Sequence, residues 1–283
     1  MGVIGANLTF ARSLDGLAAA LRTGAPAGTA VVQAPPGTGK TTLVPPLVAN
    51  LQLGLGAGPD CRPGRVVVAQ PRRIAARSAA RRLAGLDASR LGDRAGYTVR
   101  GESRTGPGTL VEFVTPGILL RRLLADPGLE GPAAVVLDEV HGRGLETDLL
   151  LGMLGEVRQL RTHLALVAMS ATLDAPRFAA LLGGHDGAGP APVIDCPSAL
   201  HPLEIRWAPP PGPRLDSRGV ARAFLDHVAD TAAAAHAAAL PRDPGVDALV
   251  FVPGTREVAH VAARLRRAVA ASEVLELHGQ ADP

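Results

Sequence analysis

The sequence predicts an α/β fold in which a parallel β-sheet is flanked by helices. Three observations carry this. Short apolar runs alternate with longer helical patterns; runs such as Ala133–Leu137 are apolar on both faces; and Gly- and Pro-containing connections separate them. A strand without polar alternation is one covered by helices on both sides, as in a parallel sheet. Strand–helix alternation at this spacing is the pattern of a doubly wound sheet. In chain order, strands are expected at Ala30–Gln33, Arg65–Gln70, Thr109–Val114, Ala133–Leu137, Leu164–Met169, Val193–Cys196, Leu203–Trp207, Ala248–Val252 and Val274–Leu277. Helices are expected at Thr41–Asn50, Ile74–Ala84, Pro116–Ala125, Leu145–Leu160, Pro176–Leu182 and Val220–Leu240. Thr115-Pro116 and Asp174-Ala175-Pro176 read as helix starts, with a capping side chain and an early proline. Pro45-Pro46 is expected to kink the helix it interrupts.

The 283 residues suit two domains at about 150 residues each. The glycine- and proline-rich stretch 183–192 reads as a surface loop of the first, and the boundary is expected near Pro197–His201, giving units 1–197 and 198–283. Hydrophobic content of 47% with 19% charge excludes a largely disordered chain. No run reaches the length of a membrane helix and no signal pattern opens the chain. Met1-Gly2 opens as a myristoylation site does, but Ala6 stands where a hydroxyl residue is needed. Two cysteines, Cys61 and Cys196, are too few for a disulfide framework or a zinc site, so a reducing, cytoplasmic location is expected.

The net charge of +3 is small, but its make-up is uneven: of 29 basic residues one is lysine, Lys40. A chain that uses arginine everywhere else retains the compact point charge at a single position, which implies a narrow site. Between Arg62 and Arg104 stand 11 arginines against Asp87, Asp93 and Glu102, a local excess suited to phosphates or to a solvated helical surface. Aromatics are only 2%, which excludes a base-stacking platform and leaves the backbone of a nucleic acid as the part to be held. His227 and His236, on the alanine-rich helix, read as surface or packing residues.

Ala34-Pro-Pro-Gly-Thr-Gly-Lys-Thr41 lies directly between an expected strand and an expected helix. A glycine-rich turn there points backbone N–H groups and a helix N-terminus at phosphates. Lys40 would reach the β- and γ-phosphates and the Thr41 hydroxyl a Mg²⁺ ion, with Gly37, Thr38, Gly39 and Thr42 completing the cradle. Ala34 replaces the usual first glycine. Asp138-Glu139 ends the run Ala133–Leu137; Asp138 suits a Mg²⁺ contact, and Glu139 suits orienting and deprotonating an attacking water.

Asp138-Glu139-Val140-His141 resembles the D-E-x-H motif of superfamily 2 helicases, and its neighbours match in order. Gln70-Pro-Arg-Arg-Ile-Ala-Ala76 resembles motif Ia of the DEAH/RHA helicases, Thr115-Pro116-Gly117 motif Ib, Ser170-Ala171-Thr172 motif III, and Leu249–Gly254 motif IV. The phosphate loop and Val140 resemble the bacterial HrpB-like branch. The resemblance implies a RecA-like P-loop NTPase domain followed by the start of a second RecA-like domain, with ATP and Mg²⁺ as cofactors and single-stranded nucleic acid, RNA rather than DNA, as partner. It implies that Lys40, Asp138, Glu139 and His141 are catalytic and that Arg82 stacks on adenine. Arg72, Arg73 and Thr115 would lie along the nucleic-acid backbone. Ser170 and Thr172, with His141, would couple nucleotide to strand. For Arg77, Arg81 and Arg82 together an exposed helical face is the alternative. Gly142-Arg143 follows His141 where the family has Glu-Arg. The family's motifs V and VI, with an arginine finger, and its C-terminal domains do not occur within the 283 residues. The activity implied is an ATP-dependent helicase, or a nucleotide-binding piece of one with little catalysis of its own.

Overall fold

The computed structural model describes residues 4–23, 28–55, 64–171, 174–183, 189–196, 203–217, 219–269 and 272–278. The chain forms two compact units, Met1–Leu200 and His201–Pro283.

In the first unit a 3-10 turn, Thr9–Ser13, leads into α1 (Leu14–Thr23), β1 (Thr29–Gln33) and α2 (Lys40–Leu55). There follow β2 (Arg65–Ala69), α3 (Arg73–Leu86), the pair β3 (Ala95–Val99) and β4 (Glu102–Arg104), β5 (Val111–Val114), α4 (Pro116–Ala125) and β6 (Pro132–Leu137). A 3-10 turn at Val140–Gly142, α5 (Leu145–Leu160), β7 (Ala165–Ser170), α6 (Ala175–Leu182) and β8 (Val193–Asp195) complete it. The strands make one sheet in the order β4-β3-β5-β2-β6-β7-β1-β8. Every pairing is parallel except that of β4 with β3.

The doubly apolar strands are explained by two cores. Val32, Val66, Val68 and Val136 face α1, α2 and α3 through Leu17, Leu43, Val44, Val48 and Leu83. The alternate residues Val31, Val67, Val135 and Leu137 face α4, α5 and α6 through Leu119, Leu123, Leu150, Leu154 and Phe178. Successive strand side chains point to opposite faces, so a strand inside such a sandwich is apolar throughout. The edge pair β3–β4 carries glycine, arginine and serine and shows no such run, although Tyr97 is fully buried and its hydroxyl donates to Glu102. Helix α2 runs through Pro45 and Pro46 without interruption. Both expected helix starts are present with proline in the first turn, but neither Thr115 nor Asp174 caps with its side chain. No helix among the described residues is long and apolar enough to cross a membrane.

The second unit holds a two-residue hairpin, β9 (Leu215–Asp216) and β10 (Gly219–Val220), and two packed helices, α7 (Arg222–Ala239) and α8 (Thr255–Ala268). The expected strands at Leu203–Trp207, Ala248–Val252 and Val274–Leu277 are not formed: these residues have no ladder partner among the described residues. Their periodicity still shows. Val250 and Val252 pack against Leu225, Ala229 and Val261, while Leu249 and Phe251 are exposed. Alternation identifies which side chains turn inward, but a strand also needs a neighbour for its backbone groups. His227 and His236 approach backbone carbonyls of Ala208 and Val246, as packing residues do.

One buried charge cluster belongs to the scaffold. Glu112, on β5, is 1% exposed. It accepts hydrogen bonds from Arg122 at 2.6 Å and 3.0 Å, from Thr98 at 2.6 Å and from Arg65 at 2.9 Å. Burial pushes the carboxyl up, but the bonds from Arg122, Thr98 and Arg65 outweigh it and hold the group at about 2. A carboxyl whose pKa is depressed on folding stabilises above its unfolded value, and the contribution is lost as pH falls towards the folded one. The stability of the first unit is therefore expected to drop by about 3 kcal/mol between neutral pH and pH ~2 on account of this residue. Denaturant titrations across that range should show the drop in the parent and a flatter profile in Glu112→Gln; equal slopes would contradict it.

Candidate nucleotide site and nucleic-acid face

In the eight-stranded sheet all pairings but one are parallel, so the C-terminal ends of its parallel strands share one edge, where α/β proteins place ligands. The motif residues gather there because each follows a strand. The phosphate loop follows β1, motif Ia follows β2, Thr115 follows β5, Asp138-Glu139 follow β6, and Ser170 ends β7.

Gly37 and Gly39 adopt φ of +79° and +92°, values that side-chain-bearing residues rarely tolerate, and a Cβ on Gly37 would meet nothing. The Thr38 hydroxyl donates to the Pro35 carbonyl at 2.9 Å, which closes the loop on itself. Lys40, the first residue of α2, is 5% exposed and its Nζ lies 3.1 Å from Glu139 Oε1. Next to it, the Thr41 hydroxyl donates to Asp138 Oδ2 at 2.6 Å. Gln70 donates to the same oxygen at 2.5 Å, while the Glu139 N–H donates to Asp138 Oδ1 at 2.9 Å. Asp138 is 2% exposed. Burial pushes its carboxyl above the ordinary aspartate range and the Glu139 charge adds to this, against the opposing Thr41 bond and Lys40 charge.

The other Glu139 oxygen, Oε2, lies 3.1 Å from His141 Nε2, and the Ala171 N–H donates to His141 Nδ1 at 3.2 Å. An Nδ1 that accepts leaves the ring proton on Nε2, so the imidazole donates to Glu139. The chain Lys40–Glu139–His141–Ala171 thus runs from the phosphate loop to the end of β7. A second link joins the same parts: the Ala34 N–H donates to the Ser170 carbonyl at 3.0 Å. Thr172 lies outside the described residues.

The turn that carries these groups is strained. Glu139 and Arg143 take φ of +55° and +49° without being glycine, conformations costing about 1–3 kcal/mol each. Arg143 forks onto Asp148 in the first turn of α5, at 2.9 Å and 3.1 Å to Oδ2, and closes the loop between β6 and α5. Neither this clasp nor the Gln70–Asp138 bond was legible from residue type and spacing.

Thr41 and Asp138 offer a hydroxyl and a carboxylate, a hard-oxygen pair of the kind Mg²⁺ takes when phosphates and water complete its shell. No group of three or more His, Cys, Asp or Glu suited to holding a metal occurs among the described residues, and a nucleotide-borne ion needs none. Thr42 lies one residue further into α2, its N–H on the Gly39 carbonyl at 3.0 Å.

On the same edge Arg72 and Arg73 are exposed. Thr115 keeps its hydroxyl off the helix it precedes. The register pairs Ala69 with Val114 and Val114 with Thr98, which brings the β3–β4 turn, with exposed Arg100, beside motifs Ia and Ib. That turn is tied to α3, for Arg77 pairs with Glu102 at 2.6 Å. Arg77 is therefore part of the scaffold, whereas Arg81 and Arg82 are exposed. No hydrogen bond or ion pair joins Arg82 to the phosphate loop among the described residues.

Comparison with known proteins agrees with this arrangement. The family model "DEAD/DEAH box helicase" matches residues 18–179. The chain is 36% identical over 247 residues to the ATP-dependent RNA helicase HrpB of Escherichia coli (strain K12), covering 87% of this chain and 27% of that protein. The crystal structure of the E. coli DEAH/RHA helicase HrpB superposes with a TM-score of 0.70 at 36% identity over 93% of this chain and 30% of that one. That of the E. coli DExH-box NTPase HrpB gives 0.63 at 35% identity over 93% and 29%. The chain thus spans little more than a quarter of the relative's length, and its first unit is a RecA-like helicase domain. It belongs to the DEAD/DEAH box helicase family.

Proposed function

We propose that this chain binds Mg·ATP at the phosphate loop and hydrolyses it as part of an ATP-dependent helicase acting on single-stranded RNA. One observation carries the reading: Thr41 lies 2.6 Å from Asp138 and Lys40 3.1 Å from Glu139, which joins phosphate-holding and water-activating groups in one contact set. The loop amides and Lys40 would take the β- and γ-phosphates, and Thr41 and Asp138 would hold Mg²⁺, which when bound neutralises charge on the phosphates. Glu139 would accept a proton from the attacking water, with His141 holding its second oxygen. Before nucleotide arrives Lys40 occupies Oε1; a γ-phosphate competes for the lysine and frees that oxygen for water. Arg82 is assigned to the adenine face and Ser170, Thr172 and His141 to coupling.

Arg72, Arg73 and Thr115, extended by Arg100, form the proposed track for the strand. Contacts of this kind position a backbone without reading its bases. The resemblance to a protein named an RNA helicase supports RNA over DNA. Replacing Arg72 and Arg73 together by alanine is expected to weaken binding of all RNA sequences alike and to lower the slope of log K against log salt by about 1.4, at ~0.7 per lost phosphate contact. Fluorescence anisotropy over a salt series checks this; unchanged affinity and slope would remove both residues from the track.

A second reading, nucleotide binding with little catalysis, draws support from the second unit, where three apolar stretches have no strand partner among the described residues. It and the first differ in turnover, not in binding.

A further inference from the structure

Residues 4–10 precede every family motif, yet they lie directly against the phosphate loop. The Phe10 N–H donates to the Thr38 carbonyl at 2.9 Å. A turn closed by the Leu8 N–H on the Gly5 carbonyl at 2.9 Å folds Leu8 over Gly39, where a Cβ on that glycine would meet Leu8 Cδ1 at 2.7 Å and Leu8 Cβ at 3.0 Å. A Cβ on Gly5 would in turn meet Leu8 Cδ1 at 2.8 Å and Leu43 Cδ2, in the first turn of α2, at 3.1 Å. Phe10 is fully buried among the core residues that carry α1 and α2.

We propose that this segment is a backing strap for the phosphate loop, and that Leu8 is a positioning residue for binding of a nucleoside triphosphate. A cradle of backbone amides binds phosphate well only if the amides are already aimed at it. The loop has two glycines at positive φ and little side-chain mass of its own, so its conformation needs support from outside. The strap gives that support at Thr38 and Gly39, while the Cβ direction of Gly37 stays open. Leu8 blocks collapse of the chain at Gly39, and Phe10 occupies the Thr38 carbonyl, which would otherwise compete for a loop amide or for water. The two contacts are different in kind, one steric and one a hydrogen bond, and both act on the two residues immediately before Lys40. The Phe10 ring is a core element and its removal would damage packing generally. Leu8 is only partly buried, so its truncation separates positioning from folding.

The proposal rests on the reading of the loop as the nucleotide site, and the test keeps the two apart. A fluorescent ATP analogue with Mg²⁺ is titrated into the full chain, Leu8→Ala, Leu8→Met and Lys40→Ala, with thermal melting of each in the absence of nucleotide. Leu8→Ala is expected to raise Kd by about 10- to 100-fold. Leu8→Met should bind as the parent does and the melting point of both should stay near the parent's; wherever turnover is measurable, KM should rise while kcat stays. Parent-like binding by Leu8→Ala overturns the strap and leaves the site intact. Loss of affinity in step with a lowered melting point, not rescued by Leu8→Met, also overturns it, since it marks a structural residue. Binding by Lys40→Ala equal to the parent's would overturn the reading of the loop and the strap with it.

Discussion

Glu139→Gln is expected to lower ATP hydrolysis by about 10²- to 10⁴-fold, the usual share of a positioned general base, while nucleotide binding stays equal or becomes tighter. The glutamine keeps the size of the side chain and a hydrogen bond to His141 but cannot accept the proton of the attacking water. The expectation for binding comes from the resting contact. Glu139 Oε1 lies 3.1 Å from the Lys40 ammonium, so on the proposed reading a γ-phosphate would have to displace a carboxylate to meet the lysine. A neutral amide is displaced more readily, because a charge-assisted bond is about twice as strong as a neutral one. Single-turnover hydrolysis and analogue titration on the same preparation read both quantities. A variant that loses binding in parallel with rate would make Glu139 a structural partner of Lys40 rather than the base.

Lys40→Ala should have the second large effect, on binding. In the proposed complex Lys40 is the charge partner of the γ-phosphate, and truncating one partner of such a desolvated pair costs about 2–5 kcal/mol, so Kd should rise by at least about 30-fold. Lys40→Arg is expected to fare little better, because a planar fork does not fit where a compact ammonium lies 5% exposed between the loop and Glu139. Lys40 is the one lysine in the chain, which permits a check without mutation: Mg·ATP should protect a single ε-amine from acylation, read by mass spectrometry. Equal labelling with and without nucleotide would count against it.

The sheet was legible because burial on two faces leaves its mark on the central residues of β1, β2, β6 and β7, whatever the loops do. The edge pair β3–β4 escaped, since it has no such run: Arg100 in its turn and Arg104 on β4 stand near a buried tyrosine. In the second unit the alternation of Leu249, Val250, Phe251 and Val252 was real, but a pattern reports which way side chains face and not whether a neighbouring strand is present. Within the site, the residues the motifs supplied, Lys40, Thr41, Asp138, Glu139 and His141, do come together. The contacts that support them are not given by any pattern of spacing. Gln70 on Asp138, the Arg143–Asp148 clasp and Leu8 over Gly39 all follow from which loop ends the sheet brings together. The expected Thr115 cap is absent: its hydroxyl makes no bond to the first turn of α4, which residue type alone does not reveal.

On the proposed reading, the contact set Lys40–Glu139 and Thr41–Asp138 forms an ATP-hydrolysing site coupled to nucleic acid. Mg·ATP hydrolysis by the chain, with and without single-stranded RNA and against Lys40→Ala as the blank, tests it most directly. Slow turnover that RNA raises and that Lys40→Ala abolishes is the predicted result. Turnover of equal size in the chain and in Lys40→Ala, indifferent to RNA, would contradict it.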